Sequence, residues 1–156
     1  MVGETLVNEG RGTPIPFSQF GAPWLDASKL ASDLTALKLP GVRFEAVHYT
    51  PQSIKNVAEN PRFKGETVNG VRIGITEVDK VRPLELGIHA LSLLQREARA
   101  KGRSILPDNR MFQLIAGTER LKAMLAAGRN GTEIIASWRS EVAAFEQKRA
   151  KYLLYS

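Results

Sequence analysis

Two stretches of this chain alternate with period two, Val42 to Tyr49 and Val71 to Ile75, and everything from Pro83 onward repeats its apolar residues at helical spacing. Period two places successive side chains on opposite faces of a strand, whereas positions three and four apart share one face of a helix. The chain therefore reads as an α+β fold: a small mixed sheet packed by several helices, with a long C-terminal helix. In the first strand Phe44, Ala46 and His48 oppose Arg43, Glu45, Val47 and Tyr49. In the second, Val71, Ile73 and Ile75 form one apolar face, and a slip of one residue would bury Arg72, which fixes the register.

The helices carry their own punctuation. Asp26 is placed to cap a helix over residues 27–38 that bears Leu30, Leu34 and Leu37 and stops at Lys38, Pro40 and Gly41. Pro83 suits a first helical position, and Leu84, Ile88, Leu91, Leu94 and Ala98 follow on one stripe, predicting a helix that packs on the sheet and ends near Lys101-Gly102. Thr118 opens a short helix that stops at Gly128, and Asn130 with Glu133 forms a capping-box pattern ahead of the last helix. There Ile135, Trp138, Val142, Phe145 and Tyr152 define its expected buried side. The first 24 residues, with Gly10, Gly12, Gly21, Pro14, Pro16 and Pro23, read as extended and turn-rich, and residues 50–69 as a long surface loop. No repeat or composition shift divides the chain, so residues 1–156 are read as a single domain.

Composition excludes whole classes of function. No cysteine means no disulfide, thiolate nucleophile or cysteine-held metal, and two isolated histidines do not make a histidine-rich metal site, so no cofactor is expected. No apolar run approaches the roughly 20 residues of a membrane span, and none follows Met1 as a signal peptide would, so no membrane partner is expected. The formal charge of +6 invites nucleic acid, but the basic residues are scattered and only residues 96–103 are dense. A basic last helical turn facing the helix dipole accounts for that stretch more simply. His48 and His89 lack a Gly-x-Ser-x-Gly nucleophile elbow, and Glu77 with Asp79 sits where a turn role is the default.

Gly10-Arg11-Gly12-Thr13 differs in kind, because an arginine between two glycines can present its guanidinium fork, with nearby N–H groups, to an anionic or hydroxyl-rich ligand. A tight turn with the arginine in water is the alternative. Phe17, Phe20 and Trp24 nearby could stack on a sugar or simply cover the core.

The string Glu9-Gly10-Arg11-Gly12-Thr13, followed by Pro16-Phe17 and Phe20-Gly21-Ala22-Pro23-Trp24-Leu25-Asp26, resembles the C-terminal half of the bacterial exo-β-N-acetylmuramidase family of the NamZ type. Leu39 to Phe44, Tyr49-Thr50-Pro51, Asn60 to Gly65, Gly70 to Ile73, Arg82-Pro83 and the ending from Ile134 to Tyr155 resemble it in the same order, over nearly the whole chain. The resemblance implies a glycoside hydrolase that removes N-acetylmuramic acid from the non-reducing ends of peptidoglycan, built from a larger Rossmann-like N-terminal domain and a smaller α+β C-terminal domain with the cleft between them. The carboxylates that perform the chemistry are then expected on the N-terminal domain, which would be this chain's partner. A secreted or periplasmic parent is also implied. Gly3-Glu4-Thr5-Leu6 departs from the family's usual lead-in, which puts a catalytic role for Glu4 in doubt.

Under this resemblance, residue type and position nominate Arg11, Gly12 and Thr13 together with Tyr49, Thr50 and Lys55 as substrate-binding residues. Arg11 would take the lactyl carboxylate and Thr13 and Thr50 sugar hydroxyls, Tyr49 would offer a ring face and a phenol, and Lys55 with the 56–69 loop would form the cleft rim. Catalytic residues within the chain stay unassigned. Two functions of different classes remain: the substrate-cleft half of an exo-acting peptidoglycan hydrolase, inactive alone, or a stand-alone basic module for anionic glycan or nucleic acid.

Overall fold

A computed structural model describes residues 2–153, in which six helices surround one three-stranded sheet. The strands are β1 (Gln19–Ala22), β2 (Val42–Tyr49) and β3 (Val68–Ile75), in the order β1-β3-β2. Both pairings are antiparallel, so the sheet is not mixed as expected; β2 and β3 pair Val42 with Ile75 through to Tyr49 with Val68. The expected register holds, with Arg72 exposed and Val71 fully buried.

β1 lies inside the segment read as irregular. Its four residues are all buried, yet Gln-Phe-Gly-Ala shows no strand pattern because β1 is specified by its neighbours. Gly21 faces Gly70 across the pair, and a Cβ on either would run into the backbone of the other strand. On its far side β1 is held by Asn8, whose N–H donates to the Gly21 carbonyl at 2.8 Å while the Gly21 N–H donates back at 2.8 Å.

α1 (Ala27–Ala36) begins as expected, with Asp26 accepting from the Lys29 N–H at 2.9 Å, and buries Leu30 and Leu34 against β2 and β3. α2 (Pro83–Ala100) has the expected bounds but packs mainly on α1, α4 (Arg120–Ala126) and α5 (Gly131–Ala136), so α1 is the helix that covers the sheet. Leu84, at the start of the predicted stripe, is exposed, and burial begins at Ile88. α3 (Met111–Ala116) had no sequence signal; it is one and a half turns anchored by the buried Phe112.

The expected long C-terminal helix is present as the last helix, but its start and its buried side differ from the expectation. The capping box forms as predicted, with Asn130 Oδ1 accepting from the Glu133 N–H at 2.9 Å and the Glu133 carboxylate accepting from the Asn130 N–H at 3.2 Å. The helix breaks at Ser137, whose hydroxyl donates back to the Ile134 carbonyl at 2.7 Å, and resumes as α6 (Arg139–Ala150). Ile135 and Trp138 pack on the core, but Val142, Phe145 and Tyr152 are 51%, 61% and 70% exposed, so the stripe predicted as buried faces outward on α6. Leu154 to Ser156, which include the end of the family-like string, lie outside the described residues.

Candidate functional site

The Gly-Arg-Gly segment is a tight turn built on Asn8. Asn8 Oδ1 accepts from the Gly10 N–H at 2.7 Å, the local bond by which an asparagine turns the backbone two residues ahead. Gly10 and Gly12 then adopt φ of 84° and 83°, a region glycine enters without strain, and Arg11 rides exposed between them. Gly12 is required on packing grounds as well, since a Cβ there would lie 2.7 Å from the Gln52 carbonyl oxygen and from the Pro61 ring. The Gln52 N–H donates to the Gly12 carbonyl at 2.8 Å, so the turn is tied to the start of the 50–67 loop.

Arg11 is oriented by two contacts. Its Nε lies 3.1 Å from Glu9 Oε1, and its guanidinium carbon lies 5.4 Å from the centre of the Phe17 ring. The Glu9 side chain is only 10% exposed whereas that of Arg11 is 55% exposed, so a buried carboxylate anchors an outward-facing cation. Engaged through Nε, the guanidinium keeps N–H groups to offer a ligand. Arg11 and Glu9 line a cleft of about 490 Å³ whose opposite wall is Val57 to Arg62, and a second cleft of about 360 Å³ that runs between β1 and the first half of α2, reaching Glu4, Phe17 and Gly87.

The other nominated residues are placed differently. Thr13 is buried: its hydroxyl donates to the Gly10 carbonyl at 2.7 Å and receives the Ile15 N–H and Gln19 Nε2. Tyr49 stands behind the turn, its hydroxyl 3.1 Å from Asn8 Oδ1. Thr50 and Lys55 are exposed, and neither lines the two clefts. Arg11 and the 57–62 rim are thus brought together, while Thr13 and Tyr49 support the turn from inside. Asn8, Glu9 and Arg62 were not nominated; an asparagine two residues before a glycine was the readable sign of the turn.

Burial raises the Tyr49 phenol well above its ordinary pKa, and the Glu9 charge pushes the same way. Above about pH 10 an unfolded tyrosine loses its proton while folded Tyr49 keeps it, so the unfolded state binds fewer protons and stability falls as pH rises. Tyr49→Phe removes this component. Denaturation curves should show the variant about 1 kcal/mol less stable at neutral pH, for the lost hydrogen bond, but with a shallower alkaline decline. Parallel declines in the two proteins would contradict the burial argument.

The remaining polar candidates belong to local structure. His48 Nδ1 lies 2.8 Å from Asn69 Oδ1, and His89 is buried in α2 with its pKa lowered by burial, partly offset by Glu85. Glu77 pairs with Lys80 at 2.7 Å. In the dense basic stretch Arg96 pairs with Asp33, Lys101 with Glu97 and the Trp24 carbonyl, and Arg99 donates to the Ala126 carbonyl. Among the described residues no group of three or more His, Asp or Glu could hold a metal ion, and no helix is long and apolar enough to cross a membrane.

Among the described residues, then, an arginine turn faces a loop-walled cleft on one small antiparallel sheet and six helices. The model of the exo-β-N-acetylmuramidase NamZ C-terminal family matches residues 1–155, and the chain belongs to that family. It is 28% identical over 155 residues to the peptidoglycan β-N-acetylmuramidase NamZ of Bacillus subtilis (strain 168), covering 99% of this chain and 35% of that protein. Crystal structures of two DUF1343 family proteins from Bacteroides fragilis NCTC 9343 superpose with TM-scores of 0.81 and 0.65 at 27% and 25% identity, over 99% of this chain and 40% and 38% of theirs. The chain thus spans well under half the length of each relative.

Proposed function

We propose that this domain forms one wall of the substrate cleft of an exo-acting peptidoglycan hydrolase, with Arg11 receiving the lactyl carboxylate of a terminal N-acetylmuramic acid. The observation that carries this reading is the arrangement of Arg11, held by buried Glu9, with its guanidinium over the Phe17 ring, and lining both clefts. The family supplies the sugar, and the sugar supplies a carboxylate that a guanidinium binds with two parallel N–H bonds. The stand-alone basic-module reading is weaker, because three of the four basic residues from 96 to 103, Arg96, Arg99 and Lys101, are paired or hydrogen-bonded within the domain.

Hydrolysis of a glycoside needs two carboxyl groups roughly 5–10 Å apart across the scissile bond. Of the acidic residues at the two clefts, Glu9 is engaged with Arg11, and Glu4 and Glu59 stand at different clefts. The chain alone should therefore leave a chromogenic N-acetylmuramide intact, and addition of the N-terminal half of a family member should restore turnover. Turnover by the 156-residue chain that vanishes in Glu4→Gln or Glu77→Gln would overturn this assignment.

A further inference from the structure

The two walls of the Arg11 cleft come from segments about fifty residues apart in sequence, and one buried side chain joins them. Asn8 is fully buried. Its Nδ2 donates to the Arg11 carbonyl at 3.1 Å and to the Arg62 carbonyl at 2.9 Å, while its Oδ1 accepts from the Gly10 N–H at 2.7 Å and lies 3.1 Å from the Tyr49 hydroxyl. An asparagine amide has two donors and room for two acceptor bonds, so every position is used. The geometry points to Asn8 as a positioning residue that sets the separation between Arg11 and the 57–62 rim, so that the cleft is preformed.

Three features support this role. Both Nδ2 bonds end on main-chain carbonyls, one at the residue that carries the guanidinium and one on the facing wall, so Asn8 fixes backbone positions independently of either arginine side chain. Gly12 adds close packing, its missing Cβ admitting Gln52 and Pro61. The loop is also pinned at its two ends, with the Gly65 N–H donating to the carbonyl of buried Pro51 at 2.9 Å. The segment read from sequence as a long surface loop is thus anchored at Gln52, Arg62 and Gly65. A ligand group placed by preset donors avoids the ordering cost of closing a flexible wall.

The inference rests on the cleft being the sugar site, so the test has two arms. Asn8→Asp keeps the size but turns the two donors into a carboxylate facing two carbonyls, and Asn8→Ala removes the side chain without that repulsion. Leu125→Ala, a core truncation on α4, is the control for general loss of stability. In the first arm, hydrogen exchange at the Thr13 and Gln52 amides should quicken about tenfold or more in both Asn8 variants, whereas Leu125→Ala raises exchange evenly over the chain. In the second, affinity for N-acetylmuramic acid, read by titration with the N-terminal half of a family member supplied, should fall about tenfold in folded Asn8→Ala and stay unchanged in Leu125→Ala. Wild-type exchange at Thr13 and Gln52 in both variants, or an affinity loss no larger than that of the control, would overturn the positioning role. Wild-type protein that does not bind the sugar even with the N-terminal half of a family member supplied would remove the muramic acid reading, while the exchange arm still decides whether Asn8 joins the walls.

Discussion

Gly21→Val should lower the stability of this domain by about 3 kcal/mol or more, with β1 separating from β3. Overpacking usually costs roughly 1–3 kcal/mol because side chains shift to make room. Here the obstruction is main chain: a Cβ at position 21 meets the Asn69 carbonyl and the Gly70 Cα. Close approach of two backbones is what a glycine within a strand commonly marks. The damage would spread, because Gly21 exchanges both of its main-chain hydrogen bonds with Asn8, which supports the Arg11 turn. The midpoint of urea unfolding measures the loss. Gly65→Ala is the comparison, since position 65 has φ of 79° but open space around a Cβ, and its cost should be only about 1 kcal/mol. A Gly21→Val cost as small as that would mean that the strands part easily and that the β1–β3 crossing does not require a glycine.

The second large effect concerns Arg11→Lys. With the N-terminal half supplied, the variant should lose about tenfold in kcat/KM on N-acetylmuramides and little on N-acetylglucosaminides, which lack the lactyl carboxylate. A charge-assisted hydrogen bond is worth roughly 1.5–3 kcal/mol, and the low end applies because the Arg11 side chain is 55% exposed and its Nε is already engaged by Glu9. Lysine keeps the charge but has no planar fork, so it cannot hold Glu9 and a ligand carboxylate at once in fixed directions. Equal losses on both sugars would make Arg11 a structural residue and end the carboxylate reading.

Much of this was legible in advance where a residue's role depends on its close neighbours in the chain. The Asp26 cap, the start of α2 at Pro83, the Asn130–Glu133 capping box and the β2–β3 register all follow from spacings of one to four residues or from period two, and all are observed. β1 and α3 were invisible for the converse reason. Four residues around a glycine and six residues around Phe112 are too short to show a period, and both are held by distant partners. The α6 stripe misled because periodicity reports which side of a helix is apolar, and says nothing of whether another element lies against it.

At the site, the amino-acid sequence alone determined that Arg11 would sit between two flexible glycines outside any helix or strand, because backbone freedom is a property of the residues themselves. Only the tertiary structure decided what the arginine faces. The Glu9 anchor, the Phe17 ring, the 57–62 wall and the Asn8 bridge are contacts made through space, and the Asn8 bond to Arg62 spans 54 residues. The same hydroxyls that made Thr13 and Tyr49 attractive as ligand groups are drawn inward there, since a buried turn leaves main-chain and side-chain groups that must be hydrogen-bonded once water is excluded.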